Sequence, residues 1–179
     1  MKYNDYKRYT HKKGLAGMLY AYLATANYRV VFWYRLRVKF KNIPFVRQCI
    51  NMYFWRLAFM RGIEIPSSCE IGDGFYIIHS GNVVINSKCK IGKNFTVVGS
   101  ATLGAVLIGD KKGSPTIGEN VYLGNGVSVL GNVTIGSNVL IGANSVVLSD
   151  VPDNCFVAGA PARIISKSDG SKGYIIRPI

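Results

Sequence analysis

Only one of the two histidines in this chain stands in a context that suggests chemistry. His79 follows an apolar run from Phe75 to Ile78 and precedes the turn-forming residues Ser80 to Asn82. A neutral imidazole can take a proton from a hydroxyl group near neutral pH, so histidine is the commonest general base of enzymes. His11 lies in a basic segment without a motif, and we expect it to be solvated. His79 is the first candidate for a catalytic residue, and a surface or packing histidine is the alternative.

The four cysteines show no pattern typical of a metal site. Cys49, Cys69, Cys89 and Cys155 contain no Cys-x-x-Cys pair, and no histidine lies at metal-ligand spacing from them. We expect reduced, partly buried thiols of a cytosolic protein and no bound metal ion.

From Ile65 onward, an aliphatic residue recurs at every sixth position. Neither a helix nor a hairpin has a period of six, whereas a solenoid of short parallel strands does. Three hexads would make one triangular coil, with the aliphatic side chains stacked inside and Gly or Asn at the corners. We therefore predict an all-β solenoid, a parallel β-helix. The thirteen predicted inward residues are Ile65, Ile71, Ile77, Ile85, Ile91, Val97, Leu103, Ile117, Leu123, Val129, Ile135, Ile141 and Val147.

The six-residue register slips twice, and each slip predicts a loop that leaves the coil. The first slip, between Ile77 and Ile85, contains His79. The second, between Leu103 and Ile117, contains the polar segment from Gly109 to Pro115. Loops on a rigid scaffold commonly carry functional residues, so a site near His79 is expected.

The positive charge is concentrated in the first third of the chain. The net charge is +13, and residues 1–62 hold thirteen Lys/Arg against one acid, Asp5. Apolar spacing predicts helices over Leu15 to Ala26, from about Asn27, and from Pro44 until Gly62. The expected inner faces carry Phe32, Leu36 and Phe40 on the second helix, and Val46, Ile50, Tyr53 and Leu57 on the third.

These basic, aromatic-rich helices have two interpretations. They could lie on an anionic membrane leaflet, or they could pack as a cap on their own domain or on a sister subunit. The longest uncharged run of residues 1–62, Gly14 to Tyr28, is too short to span a bilayer. The polar start of the chain predicts no signal peptide. We expect no nucleic-acid partner, because no binding motif is present.

Residues 62–165 resemble the serine acetyltransferase branch of the hexapeptide-repeat acyltransferases, and look closest to the O-acetyltransferases of capsule and exopolysaccharide synthesis. The resemblance rests on Gly74 to His79, Ala101 to Gly104, Gly131-Asn132 with Ile135-Gly136, and the closing segment Val157 to Arg163. It implies a left-handed β-helix, acetyl-CoA as co-substrate, and a homotrimer that binds CoA between adjacent subunits.

The same resemblance implies roles for individual residues. His79 matches the general base of the family, and Glu64, fifteen residues upstream, matches the carboxylate that supports it. Arg163 would meet the CoA phosphates. The remaining positions that match CoA contacts are Ala105, Asn125, Ala143, Ala158 and Gly159.

The acceptor is where this chain departs from serine acetyltransferases. Those enzymes carry an Asp before the histidine and an Arg-His pair in a loop, where this chain has Ile78, Gly113 and Ser114. We therefore predict a saccharide hydroxyl as acceptor. The alternatives are a serine O-acetyltransferase, an N-acetyltransferase acting on an amino-sugar nucleotide, and a non-catalytic scaffold.

The expected organisation has three parts. Residues 1–62 form a basic, aromatic-rich helical region, residues 63–165 the β-helix acyltransferase domain, and residues 166–179 a C-terminal tail. The expected location is the cytoplasm, with peripheral contact to the inner face of the cell membrane.

Overall fold

A computed structural model describes residues 4–179 as four helices followed by a β-helix. The helices are α1 (Tyr6–Tyr9), α2 (Gly14–Ala24), α3 (Ala26–Lys39) and α4 (Pro44–Phe59). The strands are β1 (Ile63–Glu64), β2 (Glu70–Ile71), β3 (Tyr76–Ile77), β4 (Val83–Ile85), β5 (Lys90–Ile91), β6 (Thr96–Val97), β7 (Thr102–Gly104), β8 (Thr116–Ile117), β9 (Tyr122–Leu123), β10 (Ser128–Leu130), β11 (Thr134–Ile135), β12 (Leu140–Ile141), β13 (Val146–Val147), β14 (Phe156–Gly159) and β15 (Ala162–Ser166).

The strands form the three faces of a triangular solenoid. Sheet A has the order β1-β4-β7-β10-β13, sheet B the order β11-β8-β5-β2, and sheet C the order β15-β14-β12-β9-β6-β3. Pairing is parallel except between β14 and β15, which is antiparallel. All thirteen predicted inward residues are buried, none more than 6% exposed. The all-β solenoid prediction is therefore confirmed.

Asparagines stack at one corner of the solenoid, where sheet B turns into sheet C. They adopt the left-handed backbone conformation, with φ between +55° and +58°. Asparagine is among the few residues with a side chain that tolerate this conformation. Their side-chain amides form a ladder in which each NH₂ donates to the next carbonyl oxygen at 2.9–3.0 Å. The ladder consists of Asn94, Asn120, Asn138 and Asn154.

The helices close the N-terminal end of the β-helix. N–H groups of the first coil donate to carbonyls of the second, as Gly72 does to Ile91. The carbonyls of the first coil therefore face the helices and need donors. Arginine supplies five donors and no acceptor, which suits this end of the solenoid. The donors are Arg35 to the carbonyls of Ile71 and Gly72, Arg8 to Gly74, Arg37 to Ile65, and the Tyr34 hydroxyl to Cys69.

One buried ion pair holds this cap together. The Arg35 guanidinium donates to both carboxylate oxygens of Asp5 at 2.9 Å, and both side chains are at most 3% exposed. Asp5 also accepts from the backbone N–H of Phe75. Arg8, Arg35 and Arg37 are all buried, so part of the basicity predicted to face an anionic partner serves the fold instead.

The buried faces of the helices differ from the predicted ones. On α3 the buried apolar residues are Tyr28, Val30, Val31 and Tyr34, and the expected Phe32, Leu36 and Phe40 are only half-buried. On α4 the inner face contains Ile50, Phe54 and Ala58, and the expected Tyr53 is exposed. The buried faces differ from the predicted ones because the helices contact the first coil through buried arginines. The spacing of apolar residues in the sequence does not reveal such contacts. Pro44 begins α4 as predicted, although no side chain caps that helix.

Residues 166–179 run back along the outside of the β-helix towards the helical cap. Tyr174 packs on Tyr122 with ring centroids 5.1 Å apart. Further on, the Ile176 carbonyl accepts from Arg8, and Ile179 exchanges hydrogen bonds with Asn94. The tail thereby ties the last coil to the first. Among residues 4–179, no helix combines the length and apolarity needed to cross a membrane.

Candidate active site

His79 lies at the corner where sheet C turns into sheet A. It follows β3 by one residue, its side chain is exposed, and its backbone N–H donates to the Val98 carbonyl of the next coil at 2.8 Å. Gly81 and Asn82 then take positive φ values of 116° and 46°, which turn the chain sharply into β4. The turn leaves the imidazole accessible from outside.

A buried asparagine from α3 fixes this corner. The Asn27 amide donates to the carbonyls of Ile77 and Ile78 at 3.3 and 2.9 Å. Its oxygen accepts from the Ser80 hydroxyl at 2.6 Å. The residues on both sides of His79 are therefore clamped to the helical cap. Sequence reasoning missed Asn27 and Ser80, because polar residues 53 positions apart give no signal until the fold brings them together.

Four more turns stack above His79 at the same corner of the solenoid, and we call this column the C–A corner. It contains His79, Gly99, Asn125 and Ala143, which follow β3, β6, β9 and β12, and Gly159, the last residue of β14. Backbone hydrogen bonds join successive levels, from Gly126 to Gly99 and from Asn144 to Asn125. Neighbouring strands lie about 4.8 Å apart, so the column extends about 19 Å from His79 to Gly159.

Small residues keep the C–A corner smooth. A Cβ atom at Gly142 would lie 3.0 Å from the Cβ of Ala158, and one at Gly124 would lie 2.6 Å from the backbone N of Ala143. Larger side chains at these two glycines would collide with the next coil. The predicted contact residues Asn125, Ala143, Ala158 and Gly159 are thus brought together on one track, with Ala158 half-buried and the others exposed.

Two predicted contact residues lie away from the middle of this track. Arg163 is exposed on β15, with Ala158 as its pairing partner, so it stands near the far end of the column. Ala105 follows β7 and lies at the other end of sheet A, where the 105–115 loop begins. Within one chain, Ala105 therefore lies apart from the C–A corner.

Glu64 is exposed on β1, beside Val84 of β4. It lines a cavity of about 280 Å³ together with Trp55, Phe59 and Asn82. Between residues 4 and 179, no hydrogen bond joins Glu64 to His79, and no side chain of that range bonds to the imidazole. The structure thus places Glu64 on the strand that pairs with β4, which follows the His79 turn, and does not pair the two side chains.

The 105–115 loop carries no charged side chain at the two positions singled out in the sequence. Gly113 is bridged to Val106 by a pair of backbone hydrogen bonds, and the Ser114 hydroxyl donates to Asn86 at 3.0 Å. Leu107 and Ile108 are exposed in the same loop. Ile78 is half-buried beside His79. In the described part of the chain, no cluster of His, Cys, Asp or Glu could hold a metal ion.

Comparison with known proteins defines the class of this fold. Residues 114–149 match the family described as bacterial transferase hexapeptide (six repeats). A serine acetyltransferase from Neisseria gonorrhoeae superposes with a TM-score of 0.75 at 28% identity, over 92% of this chain and 64% of that chain. Together with the three parallel sheets, these matches confirm a left-handed β-helix of hexapeptide repeats with N-terminal helices.

The relatives in sequence are serine acetyltransferases. The protein from Staphylococcus xylosus is 46% identical over 114 residues, which are 64% of this chain and 52% of that protein. The protein from Synechococcus elongatus is 42% identical over 109 residues, 61% of this chain and 45% of that protein. The chain thus spans about half the length of these relatives. They give no support to the expected closeness to capsule O-acetyltransferases.

Two further solved structures carry ligands. The serine acetyltransferase of Brucella abortus, in complex with coenzyme A, has a TM-score of 0.72 at 26% identity, over 81% of this chain and 58% of that chain. The soybean serine acetyltransferase, complexed with serine, has a TM-score of 0.74 at 28% identity, over 90% and 66% of the two chains.

Proposed function

We propose that this chain is an acetyl-CoA-dependent O-acetyltransferase with His79 as its general base. The observation that carries the proposal is the exposed His79 at one end of a track about 19 Å long and lined mainly by small residues. The fold is shared with acetyltransferases that include a coenzyme A complex. A thioester on a long flexible arm needs an extended track beside the base, and the C–A corner has that form.

His79 takes part in two proton transfers, one from the acceptor hydroxyl and one to the departing thiolate. The neutral imidazole takes the proton of the acceptor hydroxyl as its oxygen attacks the thioester carbonyl. The tetrahedral intermediate then collapses, the carbon–sulfur bond breaks, and the imidazolium returns the proton to the departing thiolate. Such a base contributes a factor on the order of 10²–10⁴ in rate. Asn27 and Ser80 position the base by holding the turn around it.

In the proposed complex the pantetheine arm lies along the C–A corner. It contacts Asn125, Ala143, Ala158 and Gly159, and Arg163 at the far end meets the phosphates, because a guanidinium pairs well with phosphate oxygens. Ala105 lies at the other end of sheet A, so a CoA that touches it as well requires a second copy of the chain. A homotrimer with CoA between subunits meets this requirement.

Glu64 remains the proposed positioning residue for the imidazole. Its side chain is exposed on β1, and it pairs with Val84 of β4, the strand that follows the His79 turn. We expect the pair to form when CoA and acceptor exclude water from the corner, since a carboxylate stabilises the imidazolium that forms during the reaction.

Two acceptors are supported by different observations. The comparisons favour L-serine, because the relatives are serine acetyltransferases and one solved structure holds serine. The uncharged Ile78, Gly113 and Ser114 favour a neutral saccharide hydroxyl, because a zwitterionic amino acid needs countercharges at its binding site. Serine is therefore the first acceptor to test, and a saccharide the second.

The decisive experiment follows the release of free CoA thiol from acetyl-CoA with L-serine, sugars and nucleotide-sugars. Cys49 is exposed, so the assay uses a Cys49→Ser background. His79→Ala should lower kcat by at least 100-fold, whereas His11→Ala, the matched control on an exposed histidine, should leave it unchanged. Glu64→Gln should lower kcat about tenfold or more with little change in KM, and Glu119→Gln serves as its control.

The outcomes separate the alternatives. Turnover of serine would establish the activity of the relatives in this chain, and turnover of a sugar alone would assign the uncharged site to a saccharide. Modification of an amino group would indicate an N-acetyltransferase. Silence with every acceptor, together with no CoA binding by calorimetry, would favour a non-catalytic scaffold. Full activity of the His79→Ala variant would contradict the role of His79.

A further inference from the structure

The outer face of α4 is apolar and uncovered. Phe45, Met52 and Phe59 recur at seven-residue intervals and are 80%, 74% and 85% exposed. The opposite face of the same helix is buried through Ile50, Phe54 and Ala58. A helix that is apolar on both faces is normally enclosed on both, so this outer face lacks a partner in the single chain.

The exposed charged side chains of residues 4–62, which surround this face, are all positive. Residues 4–62 contain twelve Lys/Arg, of which Arg8, Arg35 and Arg37 are buried in the cap. The other nine are exposed or half-buried, and they face no exposed acid on these helices, because Asp5 is buried against Arg35. Five of the nine flank or belong to α4: Lys39, Lys41, Arg47, Arg56 and Arg61.

Aromatic residues on the neighbouring helices enlarge the surface that suits a lipid–water boundary. Trp33 of α3 packs on Tyr53 of α4 with ring centroids 4.4 Å apart, and its indole N–H donates to the hydroxyl of Tyr22 on α2. Trp55 is half-exposed beside the stripe. Tryptophan and tyrosine favour the boundary between lipid headgroups and acyl chains, because one end of each ring is apolar and the other polar.

We propose that the outer face of α4 docks on an anionic lipid surface, with Phe45, Met52 and Phe59 inserted among the acyl chains and Lys41, Arg47 and Arg56 near the headgroups. Charge complementarity selects this occupant, because a second copy of the same face would bring two uniformly positive surfaces together. The 16 residues of α4 are too few to span a bilayer and suit a helix lying in its plane.

Docking would orient the candidate active site towards the membrane. Phe59, the last residue of the stripe, lines the same 280 Å³ cavity as Glu64. An acceptor held in the membrane would then meet the cavity from the bilayer side. The docking proposal does not depend on the proposed function, since lipid binding and acetyl transfer have separate readouts.

The test is co-sedimentation of the full-length protein with vesicles of phosphatidylcholine alone and of phosphatidylcholine with 30% phosphatidylglycerol. Truncation of the N-terminus is unsuitable, because Asp5, Arg8 and Arg35 hold the fold together. We expect binding to the anionic vesicles only, weakened at high salt. The triple variant Phe45→Ser/Met52→Ser/Phe59→Ser and the triple variant Lys41→Glu/Arg47→Glu/Arg56→Glu should each lower the partition coefficient on the order of a hundredfold.

Matched variants on the β-helix serve as controls. Leu148→Ser/Ile164→Ser/Ile165→Ser removes exposed apolar residues elsewhere, and Lys88→Glu/Lys90→Glu/Lys93→Glu reverses exposed charges elsewhere. Both should bind like the parent protein, and thermal unfolding should show that all variants are folded. The proposal is overturned if anionic vesicles do not bind, if the α4 variants bind normally, or if the β-helix controls lose binding equally. It is also overturned if the apolar α4 variant reduces only the oligomer mass in sedimentation velocity, which would identify a self-association face.

Discussion

The side chains of the candidate site differ in how firmly the chain holds them. The backbone around His79 is fixed by Asn27 and by the next coil, whereas its imidazole and the carboxylate of Glu64 have no partner within residues 4–179. Because the His79 backbone is fixed while its imidazole is free, the proposed base can take its final orientation when the substrates bind. This arrangement explains why the sequence motif locates His79 well but says little about its orienting group.

The cysteines illustrate how burial sets reactivity at the scale of a single residue. Burial raises the pKa of Cys69 to about 12 and that of Cys89 to about 11, because the interior disfavours the charged thiolate. Both groups therefore stay protonated and unreactive at pH 8 in the folded protein. Cys155 is buried and Cys49 is exposed.

We expect a thiol reagent such as DTNB at pH 8 to label one cysteine per folded chain and four after denaturation. The single fast reaction should disappear in the Cys49→Ser variant, since the thiolate is the reacting form and only Cys49 is accessible. Rapid labelling of a second thiol in the folded protein would show that the solenoid core opens more readily than its burial indicates.

Among the elements, the helical cap explains where the basic residues are used. The first coil of a parallel β-helix presents a row of carbonyls, and arginine is the side chain best suited to satisfy several of them at once. Burial lowers the pKa of Arg8 to about 10, so its guanidinium stays charged at neutral pH and keeps its bonds to Gly74 and Thr96. The cap and the first coil therefore form one folding unit.

Arg35→Leu should destabilise the protein by about 3–5 kcal/mol, because it leaves Asp5 as an unpaired buried charge and removes donors from the carbonyls of Ile71 and Gly72. Urea unfolding followed by circular dichroism measures the effect. Arg47→Leu is the control, since Arg47 is exposed and its loss should cost less than about 0.5 kcal/mol. Equal midpoints for the two variants would mean that the cap does not contribute to global stability.

On the scale of the whole molecule, one chain does not bring together all the residues of the proposed site. The C–A corner contains the proposed CoA track and the proposed base, while Ala105 and the exposed residues Leu107 and Ile108 lie at the other end of sheet A. A neighbouring subunit that brought its 105–115 loop to the C–A corner would complete the site and cover these apolar side chains.

We therefore expect native mass spectrometry to show three chains per particle and calorimetry to show CoA binding only in that assembly. Leu107→Glu/Ile108→Glu should shift the protein towards monomers and abolish CoA binding, while the asparagine ladder and the folded core remain intact. Lys111→Glu/Lys112→Glu, on the same loop, controls for the added charge. A monomer that binds CoA stoichiometrically would contradict the proposal that the site is shared.

The sequence by itself determined the solenoid, because the six-residue period of aliphatic residues depends only on residues that are close together in the chain. It also located His79 at a register slip, where the chain must turn away from the coil. The tertiary structure alone decided what the arginines do, which face of α4 stays uncovered, and how Asn27 holds the histidine turn. Those features depend on contacts such as Arg8 with Gly74, between residues far apart in the chain. Apolar periodicity carries no information about such contacts, because a buried arginine and a solvated one look the same until the carbonyls that it serves are in place.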